Sequence, residues 1–406
     1  MRKIAVRLQW SPREVIDVGR LAEVDGAIFF EFDAAFLDRK LNLSPFKLPL
    51  RPGLIEHADL EFGPLPGLFD DSLPDGWGWL LMDRMFRKRG FDPAAVSPLD
   101  RLCYLGQHTM GALTFHPPSD DADRDARLID LHSLGQNAQA VFAGDSVEIL
   151  PQLLRAGGSP GGARPKVLIG AKGDQLVSGE GNLPAGFEHW IVKFSAREDV
   201  RDAGPAEYAY AEMARRAGID VPPTRLFRVG KTRSYFGVRR FDRLPGNRRL
   251  HVHTFANLIH TNFRIPATDY ADLFKVTLAL TGSQAHVLRA FRRMAFNVAA
   301  HNRDDHAKNF AFVMNPAGEW TLSPAYDLTH SPGPGGEHMM TVAGEGRSPR
   351  REHVMQLAER FQISRQESAS VIDDVNTALV KWTALAEEAG CTKKRSRAIK
   401  ASFVPL

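Results

Sequence analysis

Cysteine is nearly absent: Cys103 and Cys391 are the only two in 406 residues, and they lie far apart. That excludes a disulfide framework and a cysteine-ligated zinc site. Long apolar runs are missing too, and no stretch reaches the ~18 residues that a membrane span needs. The opening Met1-Arg2-Lys3-Ile4-Ala5-Val6-Arg7-Leu8 lacks the apolar core of a signal peptide. A soluble, cytoplasmic protein of bacterial style is expected, with no membrane partner. Neither sign of charge dominates, since 52 Lys and Arg face 48 Asp and Glu, for a net charge of +4. This balance admits an anionic ligand but does not mark a dedicated nucleic-acid protein. Hydrophobic residues at 43% and charged ones at 25% exclude a fully disordered chain.

The length allows two or three domains. Ile4, Val6 and Leu8 alternate as in a strand, and so do Ile28, Phe30 and Phe32 after the turn pair Asp25-Gly26. Trp77, Leu80, Leu81 and Met85 recur at helical spacing over 77–88, before Gly90. The acidic, proline-containing stretch 117–127 reads as a connector. A helix is predicted over 146–155. The glycine-rich stretch from Gly157 to Lys166 follows, and it cannot be regular structure. Strands are predicted over 189–194, 224–229 and 235–241, with a helix over 206–217 that Gly218 stops. From about His253 the pattern turns helical. It is strongest over 285–300, where Val287, Phe291, Met294 and Val298 share a face, and one strand pair interrupts it. Val371, Val375, Leu379 and Trp382 mark a helical face near the end. The expected fold class is α+β. A β-rich N-terminal subdomain (1–118) precedes a small lobe (145–243) and a helical large lobe (244–406), with a cleft between the lobes.

The chemistry concentrates in Ala300-His301-Asn302-Arg303-Asp304-Asp305-His306-Ala307-Lys308-Asn309-Phe310. A hairpin predicted over 310–322 brings its ends together. Asn309, entering it, and Asp327, just past its exit, should therefore lie side by side, with Asp304 on the same loop. Two carboxylates and a carboxamide oxygen are hard donors suited to magnesium and phosphate. The order Arg303-Asp304, then Asn309, then Asp327 matches a kinase site. There the first Asp takes the hydroxyl proton, and the Asn and second Asp hold the metal. The competing reading is a helix-capping Asp and two polar loop residues.

A kinase also needs a strand lysine on the phosphates and a helix carboxylate to hold it. Lys193 ends an apolar strand, and Glu207 opens the next helix as its partner, with Glu212 as competitor. The glycine-rich stretch is neither a Walker loop nor Gly-x-Gly-x-x-Gly. Its amides could still cradle phosphate, or it could be a linker. Ser159 within it is a reasonable phosphate acceptor. His251, His253 and His260 are read as core or solvated histidines rather than zinc ligands. His306 sits beside the base, either orienting phosphate or serving structure. The basic run 393–397 is read as a solvated face, with DNA phosphate as the alternative.

These residues resemble the HipA family, serine/threonine kinases that are the toxin halves of bacterial toxin–antitoxin pairs. Asp71-Ser72-Leu73-Pro74-Asp75-Gly76-Trp77-Gly78 is similar to its N-terminal signature. Ser159 to Lys166 is similar to its phosphate-binding loop, and Val238 to Arg243 to its interlobe hinge. Asn302 to Phe310 and Tyr326-Asp327 are similar to its catalytic and metal motifs.

The resemblance implies a bilobal protein-kinase-like fold using ATP and Mg2+. It makes Asp304 the general base beside His306, places Asn309 and Asp327 on magnesium, and puts Lys193 on the phosphates. It also implies nucleotide contacts from Gly161, Gly162, Ala163, Arg164, Pro165 and Lys166, from the hinge residues Arg239, Arg240 and Phe241, and from Tyr326. Adenine would be read by main-chain groups of Arg239 and Phe241. Arg239 stands where the family often has Glu, which bears on nucleotide preference only if that side chain takes part. Ser159 would be the autophosphorylation site. The implied partners are a helix-turn-helix antitoxin like HipB, operator DNA reached mainly through it, and a protein substrate such as an aminoacyl-tRNA synthetase. The rival readings are a small-molecule or lipid kinase and a catalytically weak, antitoxin-binding corepressor.

Overall fold

The computed structural model describes residues 2–117, 129–145, 153, 162–195, 202–229 and 233–406. The first unit is an antiparallel sheet of β1 (Arg2–Gln9), β2 (Val15–Val24), β3 (Ala27–Phe32), β4 (Leu54–Glu56) and β5 (Leu113–His116), ordered β4-β3-β2-β1-β5. Asp25 and Gly26 both adopt left-handed φ, 50° and 82°, as a two-residue turn between twisted strands requires. Ile4, Val6 and Leu8 point inward and join Phe30, Phe36 and Phe69 in the first core. The helix Gly76–Lys88 follows the predicted span and serves two cores at once. Met82 and Phe86 enter the first, while Trp77 and Leu81 enter the second.

The second sheet holds β6 (Lys166–Lys172), β7 (Gln175–Ser178), β8 (Glu188–Lys193), β9 (Thr224–Val229) and β10 (Arg233–Arg239), ordered β7-β6-β8-β10-β9. Leu134 and Ala138 of the helix Leu131–Phe142 pack with Val167 and Val192 in the second core. The helix Ala203–Arg216 falls between β8 and β9 in sequence, yet Tyr210, Met213 and Ala214 enter the third core. It therefore ties the small sheet to the large lobe.

The third core is the largest. Val287, Phe291, Met294 and Val298 of the helix Gln284–Ala299 are all buried, as a 3.6-residue period demands. Val371, Val375, Leu379 and Trp382 are buried together, but two helices meeting at Lys381 share them, Arg365–Val380 and Trp382–Ala389. The predicted hairpin is present as Ala311–Met314 and Trp320–Leu322. A third strand, His251–Thr254, pairs with Ala311–Met314 where the sequence pattern predicts the start of the helical region. The result is an α+β, bilobal, protein-kinase-like fold with a β-rich N-terminal unit and a helical C-terminal lobe. Ser159, Gly161, most of the connector and all of the predicted helix 146–155 except Leu153 lie outside the described residues. Among the described residues no helix is long and apolar enough to cross a membrane.

Candidate active site

Strand β8 is buried at His189, Trp190 and Val192 and delivers the half-buried Lys193 at its end. The ammonium lies 2.5 Å from Glu207 Oε1, one turn into the helix Ala203–Arg216. It also donates to Asp327 Oδ1. Burial alone would lower the Lys193 pKa, but the Asp327 and Glu207 carboxylates override it and hold the ammonium firmly charged. Burial raises the pKa of Glu207 despite its lysine partner. Burial would also raise that of Asp327, but Lys193 and Lys166 hold it well below the carboxylate range. Glu212, the competing partner, instead pairs with Arg215 and Arg216.

Asp327 takes φ 54°, a left-handed conformation that few residues other than glycine adopt. It lines one small pocket with Asn302, Asp305, Asn309 and Tyr326. The Asn309 side-chain amide donates to the Asp304 carbonyl at 2.7 Å, closing the loop between them. The Asp304 side chain is about half exposed (54%), and His306 Nε2 lies 4.0 Å from its Oδ1. Partial burial raises the pKa of Asp304, and the neighbouring Asp327 and Asp305 carboxylates add to this against the pull of His306. The Tyr326 hydroxyl donates to the Lys308 carbonyl at 2.7 Å, and its ring stacks on Phe241 at 5.8 Å.

The hinge residues Arg239 and Arg240 are held by the chain around them. The Arg239 side chain pairs with Glu188 at 2.6 Å, and its main-chain N–H donates to the Pro223 carbonyl. The Arg240 amide donates to the His189 carbonyl, and its guanidinium is committed to Asp242 and the Thr109 carbonyl. The amides of Arg239 and Arg240 and both of their guanidiniums are therefore engaged within the chain. Lys166 is buried, and desolvation pulls its pKa down to about 8. Gly162 takes φ 94°, and a Cβ there would collide with Lys166 Nζ. Ala163, Arg164 and Pro165 connect the two.

Sequence reasoning missed two networks. Asp305 is fully buried and accepts from Tyr270 (2.7 Å), His338 (2.8 Å) and the Met339 amide (2.9 Å), which anchors the backbone next to Asp304. Lys308 points to Asp75 (3.0 Å) and Asp70 (3.8 Å) of the N-terminal unit. The acidic stretch from Asp70 to Asp75, in an otherwise apolar segment, was the signal for the second. Among the described residues no three His, Cys, Asp or Glu side chains form a metal cluster. His251 bonds the Leu43 carbonyl, His253 bonds Asp71 and Ser44, and His260 bonds Asp59. Burial pushes the thiols of Cys103 and Cys391 up to about 11 and about 12, so neither is reactive at neutral pH.

The comparisons with known proteins cover nearly the whole chain. The HipA N-terminal domain matches residues 14–116, and the HipA-like C-terminal domain matches residues 158–383. The curated "Putative kinase Y4dM" of Sinorhizobium fredii is 28% identical over 327 residues, spanning 75% of this chain and 72% of its own. The Shewanella oneidensis HipA, solved with HipB and its operator DNA, superposes with a TM-score of 0.71 at 17% identity, covering 98% of this chain and 94% of that one. That likeness is one of fold. The Helicobacter pylori proinflammatory kinase CtkA gives a TM-score of 0.34 at 14% identity, over 52% of this chain and 92% of its own. With both of its domains matched in order, the chain belongs to the HipA family.

Proposed function

We propose that the protein is an ATP- and magnesium-dependent serine/threonine protein kinase and the toxin of a toxin–antitoxin pair. One observation carries this reading: Lys193 is gripped by Glu207 and Asp327 beside the loop that bears Asp304 and Asn309. The kinase name of Y4dM and the HipA–HipB–operator assembly support it.

The donors fit magnesium, since Asn309 and Asp327 offer hard oxygens and leave room for phosphate and water. When bound, the metal would neutralise phosphate charge. Lys193 would hold the phosphates while Glu207 fixes its ammonium. The segment 161–166, ending at Lys166, would cover them. The Arg239 carbonyl and Phe241 would meet adenine, and Tyr326 would brace Phe241. Asp304 would accept the proton of the attacking hydroxyl at a carboxylate oxygen, with His306 orienting it. Phosphoryl transfer asks mainly for positioning and charge neutralisation, and such a set supplies both. The substrate would be a protein serine, such as one on an aminoacyl-tRNA synthetase. A helix-turn-helix antitoxin like HipB would bridge to operator DNA.

Intact-mass spectrometry with ATP and magnesium, followed by peptide mapping, tests the reading. One added phosphate on Ser159 is expected in the wild type and none in Asp304→Asn. No added phosphate and no ATP binding in either protein would transfer the weight to the corepressor reading. ATP binding without self-modification would favour a small-molecule acceptor.

A further inference from the structure

A single carboxylate bridges three parts of the molecule. Asp75 stands at the start of the helix Gly76–Lys88. Its Oδ2 accepts from the Gly162 N–H at 3.2 Å, and its Oδ1 accepts from Lys308 Nζ at 3.0 Å. It thus joins the end of the glycine-rich stretch to the residue just before Asn309. Neighbouring contacts point the same way. The Trp77 N–H donates to the Gly162 carbonyl at 3.3 Å. The buried indole of Trp77 donates to the Lys166 carbonyl at 2.9 Å. A Cβ built on Gly76 would lie 3.2 Å from the Ala163 Cα, so the helix start presses directly on the loop.

The same segment is fixed to the large lobe at its other end. Asp71 accepts from the Thr254 amide and hydroxyl, both at 2.7 Å, and lies 2.5 Å from His253 Nδ1. Asp70 accepts from the Asn257 carboxamide at 2.9 Å. Residues 70–77 therefore form a bracket with one end on the catalytic lobe and the other on residues 162–166.

We infer that Asp75 is a positioning residue that sets the segment 162–166 against the Asp304–Asn309 loop, making the N-terminal unit part of the phosphate-binding machinery. This rests on the reading of 161–166 as a phosphate cover. The physical reason is preorganisation. A segment that meets a ligand loses conformational freedom on binding unless it is already ordered. A bracket that already holds its end reduces the ordering left to binding.

The test compares Asp75→Ala and Asp75→Asn with the wild type, using the full chain without nucleotide. Hydrogen exchange is followed by peptide mass spectrometry. Loss of the bond to Gly162 should speed exchange of 162–166 about tenfold in Asp75→Ala. Asp75→Asn should lie between, because its amide oxygen can still accept from Gly162. Strands β1 to β5 should not change. In the same proteins the KM for magnesium-ATP should rise about tenfold in Asp75→Ala, with a much smaller change in kcat. Unchanged exchange at 162–166, or faster exchange throughout β1 to β5, would overturn the proposal in favour of a merely structural contact. A wild type that binds no magnesium-ATP would sink the kinase reading instead, and the exchange pattern alone would then decide the role of Asp75.

Discussion

Asp242 is a heavily engaged carboxylate at the junction of the units. It accepts from Arg240 at 2.9 and 2.7 Å, from Arg243 at 2.7 Å and from the Gly111 amide at 2.8 Å. Burial would raise its pKa, but the two guanidiniums hold it far below the carboxylate range. Asp242→Ala leaves Arg240 and Arg243 as buried, unpaired cations and should cost about 3–5 kcal/mol. An unfolding free energy from urea titration lowered by less than about 1 kcal/mol would contradict that. By contrast, Asp304→Asn should leave the midpoint nearly unchanged and lower phosphotransfer about 10²- to 10⁴-fold, because Asp304 is half exposed. Asp304, Asn309 and Asp327 were legible in the sequence because a short loop and one hairpin fix their spacing. The engagement of Arg240 was not, because the Thr109 carbonyl it reaches lies 131 residues away. Lys308 and Asp75 are 233 residues apart, and no local pattern could join them.

Among the elements, those with a long, clean period were legible. The helix Gln284–Ala299 and the alternating strand β1 fall where their patterns place them. The strand His251–Thr254 was not legible, since four residues containing two histidines carry too little alternation. Only pairing with Ala311–Met314 makes it a strand. The joint at Lys381 was also hidden, because Val375, Leu379 and Trp382 keep a common face across it. Trp382 secures the joint. It is fully buried, its ring lies 5.0 Å from that of Tyr210, and its indole donates to the Ser396 carbonyl at 3.0 Å. Trp382→Ala should therefore cost about 3–5 kcal/mol through the cavity and the lost bond. Calorimetry would show this as a lowered Tm, and a Tm equal to the wild type would exclude Trp382 as the link.

Across the whole molecule the seam between the N-terminal unit and the lobes depends on a histidine that must stay neutral. His251 Nε2 lies 3.1 Å from the Leu43 carbonyl, and a carbonyl can only accept, so that nitrogen carries the proton of a neutral ring. Burial, reinforced by nearby His253, pulls its pKa down to about 3. In the unfolded chain the same ring titrates near 6.5. Between those two values the unfolded chain binds a proton that the folded chain refuses. Stability therefore falls as pH falls through that window, and it is fully present above 6.5. At pH 5 this one ring should cost about 2 kcal/mol relative to neutral pH. Buried carboxylates with raised pKa values, Glu207 and Asp70 among them, act in the opposite direction. The net pH dependence thus mixes both signs, and a comparison with a variant isolates the histidine. His251→Asn keeps a donor for the Leu43 carbonyl and removes the titration. Urea unfolding at pH 7 and pH 5 should show a loss on acidification about 2 kcal/mol smaller in His251→Asn than in the wild type. Equal losses in the two proteins would mean that the seam tolerates a charged His251 and that its acid sensitivity arises elsewhere.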